Sequence, residues 1–211
     1  MRGATTHLEA SRLTAKGAAT RQRIVEAAAE LMHDATVADT TLLDIQKRAN
    51  VSGSQLYHYF ADKDEIVHAV IDYRVSNFVA RQQSIDLSTF DGICDWRDWL
   101  VAFVGSRDGR GGCPLGSFCG QLAETDLVGR LELASAFDLW EDAFHSGLKT
   151  MQSEGRLRAD VDTSHLATAL LAATQGGLLL AQLRRDVDPL KVAIDAIVEL
   201  IRSNMPHATP D

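Results

Sequence analysis

The chain has 211 residues, 45% of them apolar and 24% charged, the make-up of an ordinary globular protein with enough apolar side chain to bury a core. Its net charge is −8, and its three cysteines, Cys94, Cys113 and Cys119, form no Cys-x-x-Cys pair, which argues against a disulfide framework or a structural zinc site. The first residues lack the apolar segment of a secretory leader, and the longest apolar stretch, around residues 178–181, reads as too short to cross a bilayer. The expected location is the cytoplasm, with no membrane partner.

The negative charge is unevenly placed. Residues 1–63 carry eight Lys/Arg against seven Asp/Glu, whereas residues 64–211 carry thirteen against twenty-two. Arg2, Arg12, Lys16, Arg21 and Arg23 crowd the first stretch, and a local cationic face suits a polyanionic partner even on an acidic chain.

Residues 1–16 show no periodicity and read as a flexible arm. From Ala18 the pattern is helical, with Ile24, Val25, Ala28, Leu31 and Met32 forming one apolar stripe. Helix-start signals follow at Thr41 (with Asp44), Ser52 (with Gln55) and Asp62 (with Glu65). In each, an oxygen-bearing cap precedes a residue able to return the hydrogen bond. These starts leave room for two short helices and the beginning of a third, with Asn50 supplying the left-handed turn between the first two.

The third of these helices, from Lys63, carries Ile66, Val67, Val70, Ile71 and Phe78 and is expected to reach about residue 82. A mixed stretch over 84–94 leads to a helix around Trp96–Phe103, then a Gly-rich loop over 107–112. Helices are expected at 117–124, at 127–153 closed by Gly155, from Asp162 to about Arg185, and from Asp188-Pro189 onward. No strand pattern is evident. The fold expected is all-α, about nine helices, with a head over 17–63 and a body over 64–211.

The two short helices on either side of Asn50 form a helix-turn-helix pattern. Ile45, Ala49, Val51 and Leu56 are spaced to pack the pair onto Ile24, Ala28 and Leu31. The opposite face of the second helix shows Gly53, Ser54, Gln55, Tyr57, His58 and Tyr59, whose donors, acceptors and ring edges suit base edges and phosphates in a major groove. A plain helical bundle with a polar surface is the alternative, but three consecutive ring-bearing residues cannot all point inward on one turn.

Over Thr20-Arg21-x-Arg23-Ile24-Val25-x-Ala27-Ala28, Thr40-Thr41-x-x-Asp44-Ile45, Ala49-x-Val51-Ser52, Leu56-Tyr57-x-x-Phe60 and Lys63-x-x-Ile66 the chain resembles the TetR/AcrR family of bacterial regulators. The resemblance implies a homodimer on a palindromic double-stranded operator, repression of transcription, and a variable body that binds a small effector. By position it makes Thr41, Ser52, Gly53, Ser54, Gln55, Tyr57, His58, Tyr59 and Lys63 the DNA-contacting set, with Lys63 holding a phosphate at a helix start. Thr36, Asn50 and Ser54 stand where the family usually has glycine, and Tyr59 where it has histidine.

The stretch from Gly111 to Glu124 resembles the C-terminal domain of the LmrA/YxaF-like branch, which implies planar aromatic effectors. Trp96, Trp99, Phe103, Phe118, Trp140 and Phe144 are the candidate flat walls of an effector pocket, Gln121, His145 and Gln175 its polar groups, and Cys113 a further lining residue. Aromatics at helical spacing more often make plain core than pocket, and Cys113 and Cys119 read far more readily as inert buried thiols than as a redox pair. The segment 166–183 is apolar nearly all round, and Gly176-Gly177 would admit another helix closely. With Val192, Ile194, Ile197, Val198 and Ile201 it forms the expected dimer face, a four-helix bundle between two chains. No phosphate loop, metal spacing or activated nucleophile points to an enzyme, and no cofactor is expected. A ligand-binding or scaffold protein with a degenerate head is the remaining alternative.

Overall fold

The computed structural model describes residues 13–82 and 85–206, without the side chains of 78–82. The arm over 1–12, Ser84 and the side chain of Phe78 therefore lie outside the described residues. Among the described residues there are nine helices and no strand: α1 (Ala15–Asp34), α2 (Leu42–Ala49), α3 (Gly53–Tyr59), α4 (Lys63–Gln82), α5 (Phe90–Gly105), α6 (Gly116–Leu122), α7 (Leu127–Ser153), α8 (Thr163–Arg184) and α9 (Asp188–Ser203). They divide into two compact units, 1–74 and 75–211, so the division falls within α4 rather than at its start.

In the first unit α1 starts at Ala15, ahead of the first periodic apolar residues, because Thr14 accepts the Gly17 N–H at 3.2 Å. Ile24, Ala28 and Met32 of α1, Ile45 of α2, Leu56 of α3 and Ile66 and Val70 of α4 are all buried, so the apolar spacing becomes one small core. Thr36, where a turn glycine is usual, makes its own turn. Its hydroxyl accepts the Asp39 N–H at 3.0 Å and donates to the Asp39 carboxylate at 2.7 Å, while its carbonyl accepts the buried Thr40 hydroxyl at 2.8 Å.

In the second unit, α5 starts at Phe90, inside the stretch expected to be irregular up to Cys94. Thr89 caps it through the Gly92 N–H at 3.0 Å, and the third helical position is that glycine, not an acid, so the reciprocal signal is missing. Glycine is required there because a Cβ would lie 1.7 Å from the Asp86 carbonyl oxygen. α7 and α8 have the expected starts, capped by Asp126 and Asp162, and α9 opens with proline in its first turn.

The apolar stretch of α8 is longer than the one expected around residues 178–181. With 22 residues the helix is long and apolar enough, by length and composition alone, to cross a membrane. Its apolar run has another use here: Leu166, Leu170, Leu171, Leu178 and Ala181 enter the body core against α7 and α9. The two adjacent glycines divide their work. A Cβ on Gly177 would lie 2.7 Å from the Leu190 Cα, so glycine lets α9 of the same chain approach, whereas Gly176 faces open space.

Candidate DNA-reading head and effector cavity

Both short head helices are closed by reciprocal caps. Thr41 accepts the Asp44 N–H at 3.2 Å while Asp44 accepts the Thr41 N–H at 3.3 Å and its hydroxyl at 2.5 Å. Those two hydrogen bonds from Thr41 hold the Asp44 carboxyl below the ordinary aspartate range. Asn50 takes the left-handed conformation, φ 52° and ψ 56°, which reverses the chain into α3. Ser52 then accepts the Gln55 N–H at 3.2 Å, and the Gln55 side-chain carbonyl accepts the Ser52 N–H at 2.9 Å. Ser52 and Gln55 thus first build the start of α3; the Ser54 hydroxyl lies 2.9 Å from that of Ser52.

Around α3 the side chains separate into two sets. Leu56 is fully buried, while Ser54, Gln55, Tyr57 and His58 are exposed, Tyr57 by 58% despite its ring. Tyr59 is half-buried and packs edge-on to His58 with ring centroids 4.8 Å apart, its hydroxyl next to Gly17 of α1. Gly53 is half-buried against Gln46 of α2. Lys63, in the first turn of α4, donates from Nζ to the Ala38 carbonyl at 3.2 Å, which ties the start of α4 to the α1–α2 turn. Thr41 remains exposed at the start of α2. An exposed ring, an imidazole, hydroxyls and helix starts on one side of a small rigid core form a surface able to meet base edges and phosphates.

The body holds a cavity of about 420 Å³ lined by Cys113, Gly116, Ser117 and Cys119 around α6, Phe137 of α7, and Gln175, Leu178, Leu179 and Gln182 of α8. Among the residues expected to form a pocket, Cys113 and Gln175 line it. Trp96, Phe118, Trp140 and Phe144 are buried in the body instead, Trp96 edge-on to Phe144 at 4.8 Å, because wide rings at helical spacing fill the space between α5, α7 and their neighbours. Trp99 and Phe103 stack at 5.7 Å on α5, with Arg107 over the Phe103 ring. Gln121 donates its amide to the Ser117 carbonyl at 2.9 Å, and His145 is half-buried on α7; neither lines this cavity. Phe137, Ser117, Leu179 and Gln182 are lining residues that spacing alone does not reveal: Leu179 and Gln182 read as part of the all-round apolar α8, and Phe137 as one more ring on α7.

The chemistry of the lining is neutral. Burial, with the neighbouring Cys113 adding to it, raises the Cys119 thiol above its usual value, and Cys113 accepts the Gly116 N–H at 3.3 Å through sulfur. A raised pKa keeps a thiol protonated and weakly nucleophilic at neutral pH. Gln175 Nε2 is buried with no hydrogen-bond partner, a state worth about 1–3 kcal/mol of unfavourable desolvation. Among the described residues no cluster of His, Cys, Asp or Glu has the arrangement to hold a metal ion.

A reciprocally capped helix pair with an exposed polar and aromatic face, carried on the small core shared by α1–α4, defines a helix-turn-helix DNA-binding protein. Comparison with known proteins narrows this. Residues 24–70 match the model of the bacterial regulatory proteins of the tetR family, and residues 95–197 match a tetracyclin repressor-like C-terminal domain. The chain is 25% identical over 185 residues to the HTH-type transcriptional repressor DhaR of a Mycobacterium species (strain GP1), covering 86% of this chain and 91% of that protein. It is 25% identical to a TetR transcriptional regulator from Chloroflexus aurantiacus, with a TM-score of 0.81 over 92% of this chain and 100% of the other. Reduced NemR of E. coli shares the fold, with a TM-score of 0.76 at 17% identity over 90% of this chain and 99% of that one. The chain belongs to the TetR family and is a DNA-binding transcriptional regulator, not an enzyme. Its narrower kinship with the LmrA/YxaF-like branch does not follow from these matches.

Proposed function

We propose that the protein is a homodimeric repressor that occupies a palindromic operator in the cytoplasm and leaves it when a small apolar or aromatic effector enters the body. The observation that carries the DNA half is α3, whose buried side anchors on Leu56 while its outer side presents Tyr57 and His58. In this reading residues 17–63 are the reading head and residues 64–211 the effector and dimer body. Thr41 and Lys63 meet phosphate, Gly53 and Ser54 allow close approach, Tyr57 and His58 reach the groove, and Tyr59 braces them. Ser52 and Gln55 act through the cap that holds α3 in place.

The dimer half rests on the outward faces of α8 and α9. Gly176, Leu180 and Leu183 lie along one, and Val192, Ala196 and Leu200 along the other, all exposed, with Leu183 71% and Val192 67% open. Repeats of three and four residues make each a continuous apolar stripe, and the two helices pack together within the chain. Joined about a two-fold axis they make an intermolecular four-helix bundle, which presents two α3 helices to major grooves about 34 Å apart. An effector that binds one spacing of the heads better than the other then releases DNA by differential affinity.

The combined Tyr57→Ala and Lys63→Ala variant tests the reading on duplexes recovered by selection. Each contact is worth about 1–3 kcal/mol, so affinity should fall about 30-fold or more while the helical signal and the dimer persist. Unchanged affinity would favour a ligand-binding or scaffold protein whose head has lost its DNA role.

A further inference from the structure

The cavity beside α6 has a composition that restricts what can enter it. No Asp, Glu, Lys, Arg or His lines it, so a charged ligand would be desolvated there without a counter-ion. Its apolar walls are Phe137, stacked on Trp140 with planes 11° apart, and Leu178 and Leu179. Its polar groups are not equivalent. Cys113 is engaged with the Gly116 N–H, whereas Gln175 borders the cavity while its amide nitrogen is turned into the protein and has no partner. Gly116 makes room for that amide, since a Cβ there would come within 3.1 Å of both Gln175 Oε1 and the Cys113 Cβ. A buried N–H group left open, with the backbone shaped to seat it, is a donor awaiting an acceptor.

Building on the reading of the body as effector-binding, we infer that the effector is an uncharged apolar molecule carrying one hydrogen-bond acceptor, such as an aryl ketone, whose oxygen accepts from Gln175 Nε2 once that amide turns toward the cavity. The ring lies along Phe137 and Leu178, and the half-exposed Leu179 marks the mouth. Gln175 therefore distinguishes effectors by a single atom: a hydrocarbon of the same shape leaves the amide unpaired, and a carboxylate brings an uncompensated charge.

Three matched probes test this on the full-length dimer: benzophenone, diphenylmethane, which lacks the oxygen, and diphenylacetate, which carries a charge. Calorimetry and the shift in Tm should show benzophenone binding about tenfold or more tighter than diphenylmethane, with diphenylacetate not binding. Gln175→Leu should abolish the advantage of the ketone yet keep diphenylmethane binding, which also verifies that the cavity is intact. If that variant fails to fold, Gln175→Glu, with its donor replaced by a carboxylate, should lose benzophenone in the same way. The inference is overturned if diphenylacetate binds as well as the ketone, if the ketone's advantage survives loss of Gln175, or if benzophenone fails to bind at its solubility limit. Release of a selected operator duplex separates this from the repressor reading. Binding in the expected pattern without DNA release retains the site and rejects the effector-controlled repressor. Release from Gln175→Leu by a compound that equally releases the parent protein retains the repressor and rejects the site.

Discussion

The head's α2 and α3 have eight and seven residues, too few to hold together alone, and each is closed by a cap in which side chain and backbone bond both ways. The body's α7 and α8 have 27 and 22 residues, are capped one way only, by Asp126 and Asp162, and take their stability from apolar contact along their length. In the head, local hydrogen bonds aim a small set of exposed side chains. In the body, packing of long helices leaves a neutral cavity and two apolar outward stripes. Direction is specified residue by residue in one region, and by the sum of contacts in the other.

The comparison is broken most severely by removing the head's central anchor. Leu56 is fully buried, and Leu56→Ala should cost about 2–5 kcal/mol in the stability of the head, with protection from amide exchange lost over α1–α3 and retained in α8 and α9. Next in size is its counterpart in the body. Gly177→Ala should cost about 1–3 kcal/mol, because the new methyl would meet the Leu190 backbone, and denaturation of the body should show it while head exchange is unchanged. Ser52→Ala should cost about 1 kcal/mol and weaken DNA binding while leaving Tyr57 and His58 in place, which would sharpen the claim that caps aim the head.

The smallest effect is in pH. The folded Asp44 carboxyl lies below its unfolded value near ~3.9, so its contribution is complete above that pH and is lost as pH falls through the lower folded value. Carboxyl NMR should show Asp44 titrating below an ordinary aspartate. Thr41→Val, which removes the hydroxyl but keeps the size, should return it most of the way; no movement would place the cause elsewhere.

How far each region is legible in the sequence follows from the same contrast. Thr41, Ser52 and Asn50 state the limits of α2 and α3 because capping and left-handed turns depend on residues within a few positions. Asp126 and Asp162 do likewise for α7 and α8. The start of α5 is hidden because the backbone just before it, the Asp86 carbonyl beside Gly92, puts glycine where a capping acid would be read. The pocket is the least legible part. Periodicity cannot tell a ring that fills space, such as Trp96 or Phe144, from one that borders a void, such as Phe137. Gln175 is recognisable as an odd polar residue on an apolar helix, but only packing shows that its amide has no partner.

The central claim is that two copies of this head read one inverted repeat. Selection of bound sequences from a random duplex library, at two salt concentrations, tests it most directly. The predicted result is an inverted repeat with half-site centres about one helical turn apart, recovered at both concentrations although binding weakens with salt. Recovery of sequences with no common motif, or binding that vanishes uniformly as salt rises, would contradict it.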